Sequence, residues 1–272
     1  NLQQRGLSKG TPAEAWVLEQ PEQIARLHRD FLEAGADILL TCTFGGTTLR
    51  LEHAGLAGRA QEINHQAAAL ARQAASGRAL VGGSIGPTGQ MMQPYGPLGE
   101  SEAQAAFEAQ ARALVEAGVD LLVIETQFDL SEARAALQAA RAVCALPVVC
   151  SFSYDRGTRT MMGVKPAQMA AELGDLADVL GINCGRSLED NLKALRELRA
   201  ATEKPLWFKP NAGLPELDAQ GSPVYSVTPE EMGAQAALWL QAGAQIVGGC
   251  CGTSPAHLQA VARAARQAPA AR

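Results

Sequence analysis

The chain has 272 residues, of which 47% are hydrophobic and 19% charged, enough apolar material for the core of one large domain. A net charge of -5 without any basic run argues against a nucleic-acid groove, and no apolar run approaches the roughly 18 residues that cross a membrane. Six cysteines at this length do not read as a disulfide framework and residues 1–6 carry no apolar signal region, so the expected compartment is the reducing cytoplasm.

Residues 1–20, with Gly6, Gly10 and Pro12, read as a loop leading into the first helix. Downstream, one pattern recurs: a helical segment ends in a small residue and Gly, and a short apolar run follows. It stands at Glu33-Ala34-Gly35-Ala36-Asp37-Ile38, at Glu116-Ala117-Gly118-Val119-Asp120-Leu121 and at Gln241-Ala242-Gly243-Ala244-Gln245-Ile246. The glycine reads as a helix C-cap feeding a buried parallel strand. Strands are expected over 37–43, 79–84, 120–125, 147–152, 179–184, 206–210 and 245–250, with amphipathic helices between them. One helix is expected over 101–118, capped by Ser101, with Ala105, Ala106, Leu114 and Val115 on its apolar face.

Alternating strands and helices predict an α/β chain with a parallel sheet. The count over this length suggests a (β/α)₈ barrel, with the first strand missing or upstream of residue 1. A doubly wound sheet is the alternative, but no G-x-G-x-x-G follows any strand. The expected organisation is one barrel over 1–266 and a tail or linker over 267–272. The longest irregular segments, 85–100 and 211–229, follow strands and so belong to the C-terminal face, where barrel active sites lie.

The chemistry-bearing stretch is Val247-Gly248-Gly249-Cys250-Cys251-Gly252-Thr253. Neighbouring Cα atoms lie about 3.8 Å apart, closer than the usual disulfide separation of roughly 4.4 Å or more. Strand geometry would point the two thiols to opposite faces, but flanking glycines permit turns that bring both to one point. Two converging thiolates suit a soft metal ion; two buried free cysteines are the plainer reading. Gly181-Ile182-Asn183-Cys184 ends a strand close enough in a barrel for Cys184 to be a third thiolate. Three protein ligands with an open position are the pattern of catalytic zinc. Cys42, Cys144 and Cys150 are expected to be buried and inert, and His28, His53, His65 and His257 to pack on helices. There is no Ser-His-Asp arrangement and no H-E-x-x-H. Lys209 could suggest imine chemistry, but a solvated or ion-paired lysine is preferred, because no acidic partner adjoins it in sequence. Glu125 ends the apolar run Leu121-Leu122-Val123-Ile124; it needs either an internal Arg or Lys or a cationic ligand group.

Gly248-Gly249-Cys250-Cys251-Gly252-Thr253, Gly181-Ile182-Asn183-Cys184, Ile124-Glu125-Thr126, Pro210-Asn211-Ala212-Gly213 and Gly86-Pro87-Thr88-Gly89 together resemble the homocysteine S-methyltransferase family. Thr41-Cys42-Thr43-Phe44-Gly45 adds to the likeness, although the family more often has Asn in place of Cys42. The nearest likeness is to the homocysteine-binding zinc barrel of cobalamin-dependent methionine synthases. The resemblance implies zinc on Cys184, Cys250 and Cys251, Glu125 at the amino-acid part of homocysteine, and Asn211 near the metal. It also implies Asn183, Thr43 and Ser84 among the substrate-binding residues. The family's opening Asp-Gly-Ala-Met-Gly-like strand has no match in residues 1–20, so part of the substrate pocket is expected to be lacking.

The implied reaction is attack of homocysteine, held as a zinc thiolate, on a donor methyl group. A free thiol has a pKa near 8.5, and zinc deprotonates a coordinating thiol. The implied donor is methylcobalamin carried by another domain or protein, since no D-x-H-x-x-G stretch is present. Folate- and cobalamin-binding domains, downstream or on a separate chain, are then the expected partners. Betaine, S-adenosylmethionine and S-methylmethionine are the alternative donors. A non-catalytic zinc or thiol-binding module is the alternative class.

Overall fold

The computed structural model describes residues 1–217 and 223–268. Seven parallel strands form one curled sheet: β1 (Ile38–Leu40), β2 (Leu80–Ile85), β3 (Leu121–Gln127), β4 (Val148–Phe152), β5 (Val179–Cys184), β6 (Leu206–Pro210) and, after a hairpin of β7 (Pro215–Leu217) with β8 (Pro223–Tyr225), β9 (Ile246–Val247). The order in space is β1-β2-β3-β4-β5-β6-β9, the order in sequence. A doubly wound sheet reverses its order at a switch point. Here nothing reverses, and right-handed crossovers then put every helix on one side. The architecture is a (β/α)₈-type barrel short of one strand.

The helix-to-strand junctions form as the recurring motif dictates. Gly35, Gly118 and Gly243 have φ of 99°, 83° and 99°, the left-handed conformation that glycine adopts without a Cβ penalty. In each case the next N–H reaches back to the helix, Ala36 N to Phe31 O, Val119 N to Leu114 O and Ala244 N to Trp239 O. These are Schellman closures, which satisfy orphan carbonyls and aim the chain into the sheet.

Strand alternation sorts the core. Leu122, Ile124, Val148, Cys150, Leu180, Ile182, Leu206 and Phe208 face the helices in the main cluster, while Leu121, Val123, Val149 and Trp207 pack together inside the barrel with Ile38, Leu40, Val179 and Ile246. Gly181 makes room for the interior: a Cβ there would lie 2.5 Å from Trp207 O. Above this apolar layer, Ser84, Glu125, Ser151, Asn183 and Lys209 occupy the next inward positions, a polar layer just below the mouth.

Several expectations shift. The strand expected over 37–43 covers Ile38–Leu40, and that over 245–250 covers only Ile246–Val247. Both stand at the ends of the sheet with one neighbour each, so only one ladder holds them. The helix expected from Ser101 runs Glu100–Glu116 with Gly99 as N-cap, and its buried face is Ala103, Ala106, Phe107, Gln110, Ala111, Ala113 and Leu114; Ala105 is exposed. Residues 1–20, expected as a loop, contain a helix at Ala15–Glu19 with Trp16 and Val17 buried. The last helix runs Pro255–Gln267; of the tail expected over 267–272, residues 269–272 lie outside the described residues. Among the described residues no helix is long and apolar enough to cross a membrane.

Between β1 and β9 the sheet does not close. A cavity of about 690 Å³ occupies the gap, lined by Ile38 and Leu40 on one side, Ile246 and Gly248 on the other, with Trp207, Lys209, Cys42 and Cys250 along it.

Candidate functional site

Cys184 is the last residue of β5 and has φ of 59°, uncommon for a residue with a Cβ. Its carbonyl accepts from Asn191 Nδ2 at 2.7 Å and from Asn211 N at 3.2 Å, which holds the unusual turn. The turn breaks strand alternation, so the thiol joins the mouth instead of the helix side. Cys250 and Cys251 arrive from the loop after β9. Cys250 N donates to Pro210 O at 2.9 Å, and Cys251 N donates to Asn211 Oδ1 at 2.9 Å. Asn211 Nδ2 donates to Gly185 O at 2.9 Å, so one side chain staples the β5 and β9 loops together.

The three sulfurs lie within 4.8 Å of one another. Cys184 Sγ is 3.0 Å from Cys250 Sγ and 3.8 Å from Cys251 Sγ, and all six cysteines are free thiols. Hydrogen bonds from the Cys184 and Cys251 thiols hold Cys250 well below the usual thiol range, and the nearby Lys209 charge adds to this. Cys184, the donor to that thiolate, is pushed up. Three thiols poised around one charge form a soft donor set.

Asn183 governs the orientation of this trio. Its Oδ1 accepts from Thr126 N at 2.8 Å and from Ser151 Oγ. Its Nδ2 donates to Thr126 Oγ1 at 2.7 Å and to Cys250 Sγ at 3.7 Å. All four capacities of the amide are used, so its flip is fixed by its neighbours. Asn183 is fully buried; it orients a ligand and faces inward rather than into the mouth.

Glu125 is 6% exposed and both oxygens are engaged. Ser84 Oγ donates to Oε1 at 2.6 Å, and Lys209 Nζ donates to Oε2 at 2.9 Å. The internal cation is therefore present. Burial works against the Lys209 charge, but the charges of Glu125 and Cys250 outweigh it and raise its pKa. Thr43 is fully buried; its hydroxyl donates to Ser84 O at 2.7 Å and meets Thr41 Oγ1 at 2.6 Å. It braces Ser84 and, among the described residues, makes no hydrogen bond to the thiols.

Of the sequence candidates, the fold thus gathers Cys184, Cys250, Cys251, Asn183 and Asn211 at one point, with Glu125 and Ser84 beside them and Thr43 one step behind. Sequence reasoning missed Lys209, Thr126 and Ser151. Lys209 and Glu125 share inward parity at strand ends, the one signal that pairs them across 84 residues. Cys150 is buried as expected, but Cys42 and Cys144 are half-buried, and burial pushes the Cys42 thiol up. His28 is buried on its helix, and His257 caps the last helix through Ser254. A second cavity of about 410 Å³ opens beside Cys184 and Asn211, walled by Phe44, Met91, Phe128 and Asp155.

A parallel barrel with a tri-thiol centre beside an open cavity defines a class: enzymes that bring a substrate to a thiophilic ion at the C-terminal mouth. The chain belongs to the homocysteine S-methyltransferase family, whose model matches residues 1–265, and is a methyltransferase. It is similar to methionine synthase of Mycobacterium tuberculosis (strain ATCC 25618 / H37Rv), with 30% identity over 258 residues, 90% of this chain and 22% of that protein. The match to methionine synthase of Mycobacterium leprae (strain TN) is 29% over 258 residues, 90% of this chain and 21% of that protein. The chain thus spans about a fifth of the length of these relatives. Among solved structures, the metallated form of the homocysteine methyltransferase MmuM from Escherichia coli matches with a TM-score of 0.82 and 27% identity, covering 96% of this chain and 92% of that one. A methyltransferase from Methanosarcina mazei, 14% identical with a TM-score of 0.58, covers 91% of this chain and 85% of its own, and shares the fold.

Proposed function

We propose that this chain methylates the sulfur of homocysteine to give methionine, using zinc held by Cys184, Cys250 and Cys251. The observation that carries the reading is the convergence of these three thiols within 4.8 Å at the barrel mouth. Tetrahedral zinc with Zn–S near 2.3 Å sets ligand sulfurs about 3.8 Å apart, and Cys184 and Cys251 stand 3.8 Å apart. When bound, zinc supplies a Lewis acid that keeps a substrate thiol deprotonated at neutral pH.

The chain's own residues bind and orient. Asn183 and Asn211 fix the three thiols. Glu125, kept ionised by its contact with Lys209 and braced by Ser84, has lone pairs left for the substrate ammonium. Thr43 holds Ser84 in place. The substrate sulfur loses its proton to solvent at the mouth, and the donor approaches in line through the cavity beside Cys184. The methyl group forms its bond to sulfur as its bond to the donor breaks, and the donor leaves with that electron pair.

The proposed donor is methylcobalamin carried by another domain or chain, with folate- and cobalamin-binding domains as partners. A free methyl donor, such as S-methylmethionine, S-adenosylmethionine or betaine, is the second reading. It is favoured by the 92% coverage of MmuM, a chain of similar length. Free thiols at the site support a reducing, cytoplasmic setting.

Elemental analysis should find one zinc per chain in the parent and in Cys144→Ala, and little in Cys184→Ala, Cys250→Ala or Cys251→Ala. The zinc-loaded protein should form methionine from homocysteine and methylcobalamin. Full zinc in Cys251→Ala, or no methionine from any of the four donors, would overturn the reading.

A further inference from the structure

Lys209 is a buried cation with one hydrogen-bond acceptor. Its side chain keeps 11% exposure, and Glu125 Oε2 at 2.9 Å is the acceptor of its one hydrogen bond. An ammonium has three donors, and the Trp207 ring face, 5.4 Å from Nζ, supplies only a diffuse contact. Two donor directions are left. The remaining exposure opens into the cavity between β1 and β9, which Lys209 shares with Cys250. Trp207 lines the same cavity, and its Nε1 is buried without a hydrogen-bond partner. The lysine stem lies along β9 because residue 248 is glycine; a Cβ there would come to 3.3 Å from Lys209 Cγ. The pocket wall thus presents unspent donors and a positive charge directly beside a carboxylate.

We propose that Lys209 receives the α-carboxylate of homocysteine while staying paired with Glu125, which receives the α-ammonium. This rests on the proposed function and adds the half of the substrate that Glu125 alone cannot read. An α-amino acid carries its two charges on one carbon. Laid across Glu125 and Lys209, it closes a ring of four alternating charges in which each cation touches two anions. Neither protein charge is stranded in the low-dielectric interior when the site is empty, because each neutralises the other. Two methylene groups separate the sulfur of homocysteine from its α-carbon, so the same molecule can reach from this pair to the thiol centre. Lys209 is then a specificity residue: it selects amino-acid thiols over simple amines that carry a thiol.

The test is calorimetric binding of L-homocysteine and of 3-mercaptopropylamine, which lacks the carboxylate, to the zinc-loaded protein. Parent, Lys209→Met and Lys209→Arg are compared. Lys209→Met should lose roughly 10- to 100-fold in homocysteine affinity, the scale of a charge-assisted hydrogen bond, while its affinity for the amine stays near parent. Lys209→Arg should keep most of the preference for homocysteine. The ratio of the two ligands is read within one preparation, so partial unfolding of a variant cancels. Equal losses for both ligands in Lys209→Met, or no loss for either, would overturn the assignment and leave Lys209 as a partner of Glu125 alone. A parent that binds both ligands equally would also overturn it while leaving the functional reading intact. A parent that binds no thiol would overturn the functional reading, and this assignment with it.

Discussion

Asn183 and Thr126 hold each other by two reciprocal hydrogen bonds, Thr126 N to Asn183 Oδ1 at 2.8 Å and Asn183 Nδ2 to Thr126 Oγ1 at 2.7 Å. Thr126 sits at φ 62°, where the β3–β4 register shifts between Ile124 and Gln127. A left-handed, non-glycine residue costs of order 1–3 kcal/mol and persists only when its surroundings over-determine it. Asn183 does so, and spends its last donor on Cys250 Sγ.

Asn183→Ala should therefore act on fold and metal together. It leaves several buried groups unpaired, so unfolding free energy should drop by about 2–4 kcal/mol. Loss of a residue that orients a ligand should weaken zinc binding roughly 10- to 100-fold. Denaturant unfolding and chelator competition measure the two. Parent-like zinc affinity in Asn183→Ala would show that Asn183 does not organise the trio.

The Gly86-Pro87-Thr88-Gly89 loop hangs on a buried carboxylate. Thr88 N and Thr88 Oγ1 donate to Glu132 Oε1 at 2.7 and 2.6 Å, and Glu132 is 1% exposed. Burial raises its pKa above the ordinary 4.5, against the pull of those hydrogen bonds. In the window above 4.5 the folded chain then binds more protons than the unfolded chain, so stability falls as pH rises through it. Glu132→Gln keeps the acceptor and removes the titration. Its stability relative to the parent should grow between about pH 4 and about pH 7. Thermal unfolding across that range checks it; a constant difference would contradict it.

Homocysteine should bind with release of a proton near neutral pH, because the thiol enters as thiolate. Calorimetry in buffers of different ionisation enthalpy reads this directly. No buffer dependence would argue against a metal–sulfur bond.

Glu125→Gln should weaken homocysteine binding by about 1.5–3 kcal/mol, the range for hydrogen bonds to charged groups. Zinc content should not change, and 3-mercaptopropionate, which has no ammonium, should bind near parent affinity. Equal losses for both thiols with a large fall in melting temperature would make Glu125 simply the counter-ion of a buried lysine.

The parts legible in sequence are those set by local rules. Gly35, Gly118 and Gly243 mark junctions because a left-handed C-cap has almost no other residue choice. Cys250 and Cys251 stand out because adjacent thiols between glycines have few structural uses, and Cys184 because it ends a strand of the same sheet. What stayed hidden depends on distant partners. Lys209 has no acidic neighbour in sequence, and only closure of the sheet brings Glu125 to it. The left-handed turn at Cys184 is imposed by Asn191 and Asn211, not by its own type. The β7–β8 hairpin lay unread within 211–229, because Pro215 and Pro223 mark loops at least as strongly as edge strands.

The gap beside β1 and β9 makes this sheet behave like a cask short of a stave. Each bordering strand offers backbone donors and acceptors to any extended peptide, and the apolar walls between them reward one that alternates inward side chains. Lys209 and Cys250 line the same hollow, so a peptide seated there would form one wall of the substrate pocket. Peptide and homocysteine would then be thermodynamically linked, each changing the affinity of the other by the same factor. Left unfilled, the two borders are sticky, and self-association of the isolated chain should rise with its concentration.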